Sequence, residues 1–251
     1  MSIALSFVAF ESEPALTLEA LCADFASRWP DLPAPAQANA QDNTLSFKVG
    51  DHDVIVGLMS APYPWSDLEG PCATTIFWPE AAAVLKAHRT HAIVTVRSDE
   101  LDAIEQSTLL TRATASVLAA SSTAVGVYWS DATLVVPMAL FLDFATEVLP
   151  HGLPVPIWVD FRVGRDSDTT SAGFTTGMAA LGHMELETRS ATETPGELRE
   201  RLTILVEYLL EHGPVIRDGD TVGGDENERI QVRYADSSFG HEGQVMRLEY
   251  A

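Results

Sequence analysis

The chain has 251 residues, 46% of them hydrophobic, with a formal net charge of −21 and a pI near 4.5. That size and apolar content suffice for one large core or two smaller ones. The charge repels nucleic acid and anionic membrane, so neither is expected as a partner; it suits a basic protein partner and, equally, plain solubility.

Residues 3–10 are apolar enough for a signal peptide. No basic region leads them, and Glu11 and Glu13 follow at once, so they read as a buried strand. Residues 16–29 place Leu18, Leu21, Cys22, Phe25 and Trp29 on one face of a helix capped near Thr17 and ended by Pro30. Residues 31–43, rich in Pro, Ala, Gln and Asn, read as a loop. Strands are expected at 44–49 and 54–59, joined by a Gly-Asp-His-Asp turn. The run 61–71 carries prolines and aromatics and reads as a second loop, with Trp65 exposed as a candidate partner contact. A helix at 79–88 starts on Pro79, and a strand follows at 92–96. This β-α-β-β-α-β order is that of a split βαβ, ferredoxin-like half.

Beyond it, a helix is expected at 101–120 opened by Ser98 or Asp99, a strand at 124–129, a helix at 136–149 and a strand at 155–163. The longest apolar run, 134–142, contains Pro137 and is too short to span a bilayer. Trp78 and Trp129 are expected to be half buried. They sit in a short echo, Ile76-Phe-Trp-Pro-Glu80 against Val127-Tyr-Trp-Ser-Asp131, which raises internal duplication as a question. Cys22 and Cys72 lack any paired spacing; Cys22 reads as a core thiol, and a cytoplasmic location is expected.

The stretch that organises the C-terminal half is 171–187. Thr175 or Thr176 can cap a helical turn at 178–181, Gly182 can stop it in a left-handed conformation, and a strand follows at 183–188. Thr194-Pro-Gly-Glu-Leu opens a long helix to about His212, with Leu198, Leu202, Leu205, Val206 and Leu209 on one face and Gly213 as its stop. Terminal strands are expected at 230–234 and 244–249. The helix is long enough to bring a second glycine-marked stretch, 218–224, back beside the first. Gly177, Gly182, Gly219 and Gly223 would then permit close approach, and Glu185 or Glu187 would accept backbone N–H bonds from 221–224.

Phosphate-cradling motifs and the GxSxG elbow are absent, and no cofactor is expected. Gly173-Phe-Thr-Thr-Gly177 and Gly219-Asp-Thr-Val-Gly223 resemble an elbow with threonine, but neither has a base in register. Asp218 and Asp220 start like a calcium loop, yet Val222 and Arg229 occupy ligand positions. His88 with His91, and His183 with Glu185, are two-ligand beginnings without a third, so no metal is expected. Glu185 and Glu187 fall on one strand face as an acid–base candidate pair, or as partners of an arginine such as Arg233.

Taken together, Pro62-Tyr-Pro-Trp65, Cys72 with Trp78-Pro79, His88 with His91-Ala-Ile-Val94, Phe174-Thr-Thr-Gly-Met178, Leu181-Gly182, Glu185-Leu-Glu187 and Asp218-Gly-Asp-Thr-Val-Gly223 resemble the bacterial domain of unknown function 4261 family. That resemblance implies no catalytic residue set. The Thr-x-Gly, Leu-Gly and Glu-Leu pattern is also similar to small bacterial families around suppressor-of-fused-like proteins, some of which look like immunity proteins of toxin systems.

The expectation is therefore an α+β fold, mainly antiparallel sheets with packed helices, in two ferredoxin-like-type halves, 1–98 and 99–251. The expected function is a cytoplasmic, non-enzymatic protein-binding or accessory protein, of the immunity type serving a bacterial toxin or secretion system. The alternative is a small-molecule-binding or metal-dependent enzyme with its site between 175–187 and 218–224. Candidate binding residues are Thr175, Thr176, Gly177, Glu185, Glu187, Asp218, Asp220, Thr221 and Trp65.

Overall fold

The first apolar stretch becomes β1 (Ser2–Phe10), whose alternate side chains serve two different layers. The computed structural model describes residues 2–223 and 229–250 and divides into two units, Met1–Ile157 and Trp158–Ala251. In the first unit β1 is followed by α1 (Leu18–Arg28), β2 (Ala36–Gln41), β3 (Thr44–Val49), β4 (His52–Met59), α2 (Trp65–Thr74), α3 (Ala81–Ala87) and β5 (Thr90–Ser98). Then come α4 (Ala103–Ala119), β6 (Ala124–Trp129), β7 (Leu134–Pro137), α5 (Met138–Asp143), a π-helical turn at Phe144–Val148, and α6 (Val155–Trp158) at the junction.

These strands form one seven-stranded sheet in the order β2-β3-β4-β5-β1-β6-β7. On one face Val8, Val54, Val56, Val94 and Val96 are fully buried beneath α4 and α1. Ser6 and Thr114 share a 2.7 Å hydroxyl hydrogen bond there, which ties α4 to the central strand. Phe25 of α1 meets Phe47 of β3 edge-on, with ring centroids 5.3 Å apart. On the other face Ala9 packs with Leu68, Trp78, Ala81 and Leu85 under α2 and α3. The unit is a helix–sheet–helix sandwich built on the period-two alternation of its strands.

Every pairing in this sheet is antiparallel. The expected half, built on β1, β3, β4 and β5, lacks the split order, because β4 and β5, joined through α2 and α3, are direct neighbours; it is β5 and β6, joined through α4, that flank β1 and run parallel to each other. The expected division at 98/99 also moves. α4 follows that point but packs on β1 and β5, so the boundary between units falls at 157/158. The true N-cap of α4 is Asp102, reciprocated by Glu105, rather than Ser98 or Asp99.

Four elements differ from their expected type. β2 falls in the stretch whose Pro, Ala, Gln and Asn content reads as loop; with all its residues exposed, it is an edge strand held by backbone pairing to β3. α2 forms across the proline-rich run: Pro64 sits at its N-cap, and buried Pro71 is tolerated inside it. The apolar run after 133 starts as the strand β7 before turning helical at Met138. The segment starting at Val155 begins as a helical turn, α6, and becomes strand only at Asp160. Trp78 and Trp129 are buried rather than half buried, at 6% and 3% exposure. Their surrounding segments take different structures, the first a connector between α2 and α3 and the second in β6, so the echo has no structural counterpart.

The second unit comprises β8 (Asp160–Arg165), β9 (Ser171–Thr176), β10 (Leu186–Ala191), α7 (Pro195–His212), β11 (Thr221–Val222), β12 (Ile230–Asp236) and β13 (Gln244–Tyr250). Its six strands run β11-β12-β13-β10-β9-β8, with β10 and β13 parallel and the other pairings antiparallel. With the first sheet this is the expected α+β, mainly antiparallel architecture. α7 opens on the Thr194–Glu197 capping box and closes at Gly213, as its sequence signals dictate. It lies on β8 and β9 through Leu198, Leu202, Val206 and Leu209, each fully buried. Gly173 makes room for it: a Cβ there would stand 2.8 Å from Val163 Cγ1 and 3.2 Å from Leu198 Cδ2. Among the described residues no helix is long and apolar enough to cross a membrane.

Leu205, expected in the core stripe, is only half buried. Leu202→Ala should therefore cost about 2–5 kcal/mol by denaturant titration, whereas Leu205→Ala should cost about 1 kcal/mol. Equal losses at both positions would show that the helix face has been misassigned.

Candidate functional site

The turn between β9 and β10 is organised by a buried carboxylate. A single 3-10 turn at Ala179–Leu181 follows β9, and Gly182 stops it in the left-handed region at φ 82°. Glu185, 6% exposed, lies just before β10. Its Oε1 accepts from the backbone N–H of Gly177 at 2.9 Å and of Ala179 at 3.1 Å. Its Oε2 accepts from the Thr175 hydroxyl at 2.6 Å, and Thr175 Oγ1 accepts in turn from the Leu186 N–H at 2.9 Å. This closed set satisfies a carboxylate that burial would otherwise penalise. It is a clasp on the turn rather than an acid–base group facing a cleft. Thr176 lies opposite Asp160 of β8, whose carboxylate accepts from Arg162 Nε at 2.6 Å. Burial pushes the Asp160 pKa upward, with Arg162 and Arg199 opposing.

Glu187, 1% exposed, works in a different place. It accepts from the Ser237 hydroxyl at 2.9 Å, from the Ser238 N–H at 3.0 Å, and from Arg247 Nε and Nη2 at 3.1 and 3.0 Å. Its arginine is Arg247 rather than Arg233, because β10 pairs directly with β13 while Arg233 lies one strand further on. The two candidate carboxylates thus do not form a pair facing one ligand.

The idea that 171–187 and 218–224 meet is overturned. β11 lies at one edge of the sheet, and β12 and β13 separate it from β10 and β9. The glycine-marked stretch extends the β12 edge instead: Gly219 N–H donates to Val232 O, and Val232 N–H to Asp220 O, both at 2.8 Å. Asp218 accepts from the Tyr234 N–H at 2.9 Å, and Asp220 from the Arg217 N–H at 2.7 Å. Thr221 is exposed on β11, and Gly224 lies outside the described residues. A catalytic or metal site between the two stretches has no geometric basis.

What the second segment does border is a groove of about 790 Å³ along α7. Ile204, Leu205 and Tyr208 line it from the helix, and Val215, Ile216 and Val222 from the returning chain. Ile204, Tyr208 and Val215 are exposed at 58%, 44% and 47%, unusually high for large apolar side chains gathered together. Glu193, Glu197, Glu200 and Asp220 also line it together with Arg201, so acid outnumbers base around the apolar surface. Glu193 Oε1 accepts from Arg201 Nε and from the Tyr250 hydroxyl, the latter at 3.1 Å. Its Oε2 is buried without a hydrogen-bond partner among the described residues. Of the groove residues, Asp220 and Thr221 were on the sequence-based candidate set. The others were missed, although Ile204 and Tyr208 signalled them as large apolars outside the 198/202/206/209 stripe.

Trp65 is half buried, not exposed: it packs on the α2–α3 cluster, with Lys86 Nζ 4.5 Å from its ring centroid. Of the histidines expected as unfinished metal pairs, His88 and His91 have structural roles, whereas His183 Nδ1 is buried without a hydrogen-bond partner among the described residues. His88 accepts from the Tyr63 N–H at 2.7 Å through Nε2, with Nδ1 on the Leu85 carbonyl, and His91 Nδ1 bonds the Ala61 carbonyl at 2.8 Å. Among the described residues no three His, Cys, Asp or Glu side chains converge on a metal position.

Two measurements follow from this chemistry. Glu185→Ala leaves the Thr175 hydroxyl and two backbone N–H groups unmet and should destabilise the chain by about 3 kcal/mol in denaturant titration; an unchanged midpoint would mean that the clasp is dispensable. Burial lowers the His91 pKa from its ordinary 6.5. The folded state therefore resists protonation more than the unfolded chain does. Stability should fall as pH drops through 6.5 toward the folded pKa, then level off below it. A His91 NMR titration midpoint at or above 6.5 would contradict this.

No curated protein and no solved structure matches the chain. Residues 174–249, which run from β9 nearly to the end of β13 and contain the Glu185 clasp, the Glu187–Arg247 pair and α7, match the family described as Domain of unknown function (DUF4261). The likeness to the domain of unknown function 4261 family covers that stretch, less than half of the chain, and leaves out β8.

Proposed function

We propose that the protein is a non-enzymatic binding or accessory protein of the bacterial cytoplasm that holds a basic partner in the α7 groove. The observation that carries this reading is the groove's own composition, an apolar floor of Ile204, Leu205 and Tyr208 with Glu197, Glu200 and Asp220 around it. Such a surface suits a segment with apolar side chains on one face and lysine or arginine on its flanks. Glu193 Oε2, buried and unmatched, adds an acceptor for a donor brought by that partner. The net charge of −21 extends the attraction beyond the groove. Binding is favoured over catalysis because the buried carboxylates Glu185 and Glu187 are consumed by internal donors. The free thiols of Cys22 and Cys72 suit a reducing compartment. An immunity-type role beside a toxin or secretion system rests on the likeness to such families.

The test uses the full chain and a fluorescent amphipathic peptide of leucine and lysine, followed by anisotropy and stopped flow. Association should slow as ionic strength rises toward a Debye length of about 8 Å. Ile204→Asp should weaken binding by about tenfold or more, since it places a charge in the apolar floor. An association rate unchanged between low and physiological salt, with Ile204→Asp binding as wild type, would remove the groove from the account.

A further inference from the structure

We propose that the first unit carries a second, independent site: a cavity beside α4 that binds a small apolar carboxylic acid, with Arg112 receiving the carboxylate. It does not rest on the groove reading, since every residue involved lies before Ile157.

The cavity measures about 380 Å³, within the size range of small-molecule sites. Ile104, Thr108 and Leu109 of α4 line one wall, Leu32 and Pro33 another, with Val49 of β3 also lining it. Two polar groups of its lining are already engaged. Glu105, in the first turn of α4, is engaged in the capping box with Asp102, and His52 bonds the Ser98 hydroxyl through Nδ1 at 3.0 Å. Arg112 lies seven residues beyond Glu105, about 10 Å along the helix axis. The charged cluster at that end is Arg112 and Asp31.

Arg112 is built as a held donor. Its side chain is 12% exposed, and its guanidinium carbon lies 5.3 Å from the centroid of the Trp29 ring, whose indole N–H donates to the Arg112 carbonyl at 3.1 Å. Nη1 donates to Asp31 Oδ2 at 2.8 Å. Nε is buried and has no hydrogen-bond partner among the described residues. An unmet donor on a buried cation is a costly arrangement. A guanidinium presents paired N–H groups in a fork that fits a carboxylate bidentately. Asp31 takes Nη1, whereas a carboxylate on the unmet Nε would use the side-on fork that Nε forms with Nη2. The ligand this geometry selects has one carboxylate at the Arg112 end and an unbranched or aryl apolar body along Ile104 and Thr108.

The probe pair is octanoate against 1-octanol, titrated into the full chain by calorimetry and by amide NMR at neutral pH. The two share an apolar body and differ in the group offered to Arg112. Octanoate should bind saturably, shift the amides of Ile104 and Thr108, and bind about tenfold or more tightly than octanol. Arg112→Gln should bring octanoate down to the affinity of octanol, and Ile104→Trp should fill the space and weaken both. The proposal is overturned if wild type binds both probes equally, if octanoate fails to saturate, or if the shifted amides lie outside the cavity. The wild-type comparison decides even where Arg112→Gln does not fold. Its failure leaves the α7 groove untouched, because peptide binding there is read separately.

Discussion

Two carboxylates buried at the head of β10 set the organisation of the second unit. An ionised group removed from water must be met by donors, and the donors available to Glu185 and Glu187 lie on different segments. Glu185 draws the β9 end and the following turn onto itself through Thr175, Gly177 and Ala179. Glu187 draws Ser237, Ser238 and Arg247 across from the β12–β13 hairpin. Between them they connect β9, β10, β12 and β13. Neither is left with an exposed oxygen set facing a cleft, so the same constraint that orders the sheet removes these residues from chemistry.

α7 then divides its surface between two tasks. One stripe, Leu198, Leu202, Val206 and Leu209, is fully buried on β8 and β9. The neighbouring stripe, Ile204, Leu205 and Tyr208, is left in the groove with the returning chain at Val215 and Val222. Large apolar side chains exposed together cost solvation free energy, and an acidic border offsets the tendency toward nonspecific association while keeping attraction for basic surfaces. The first unit shows a related economy on α4. There the residues facing the sheet are buried, while Ile104 and Thr108 line a cavity in which Arg112 keeps a donor unmet.

The sequence alone determined those features whose causes are local. The Thr194–Glu197 capping box, the Gly213 stop, the Gly182 left-handed turn and the alternation of β5 and β12 all follow from dihedral preference and side-chain period, which neighbours do not alter. The elements misread were those whose local signal is weak or misleading. β2 has no apolar side to show, because an edge strand is held by its backbone alone; α2 hides behind two prolines, one at its cap and one buried within it. Only tertiary structure decided which strands pair and which charges meet. Strand order depends on contacts between residues far apart in the chain, and nothing in the spacing of 171–187 and 218–224 shows that β12 and β13 will separate them. Glu187 finding Arg247 rather than Arg233, and Leu205 turning toward a groove rather than the core, are decided the same way: burial is a property of what packs against a residue, which the residue's own neighbours in sequence do not specify.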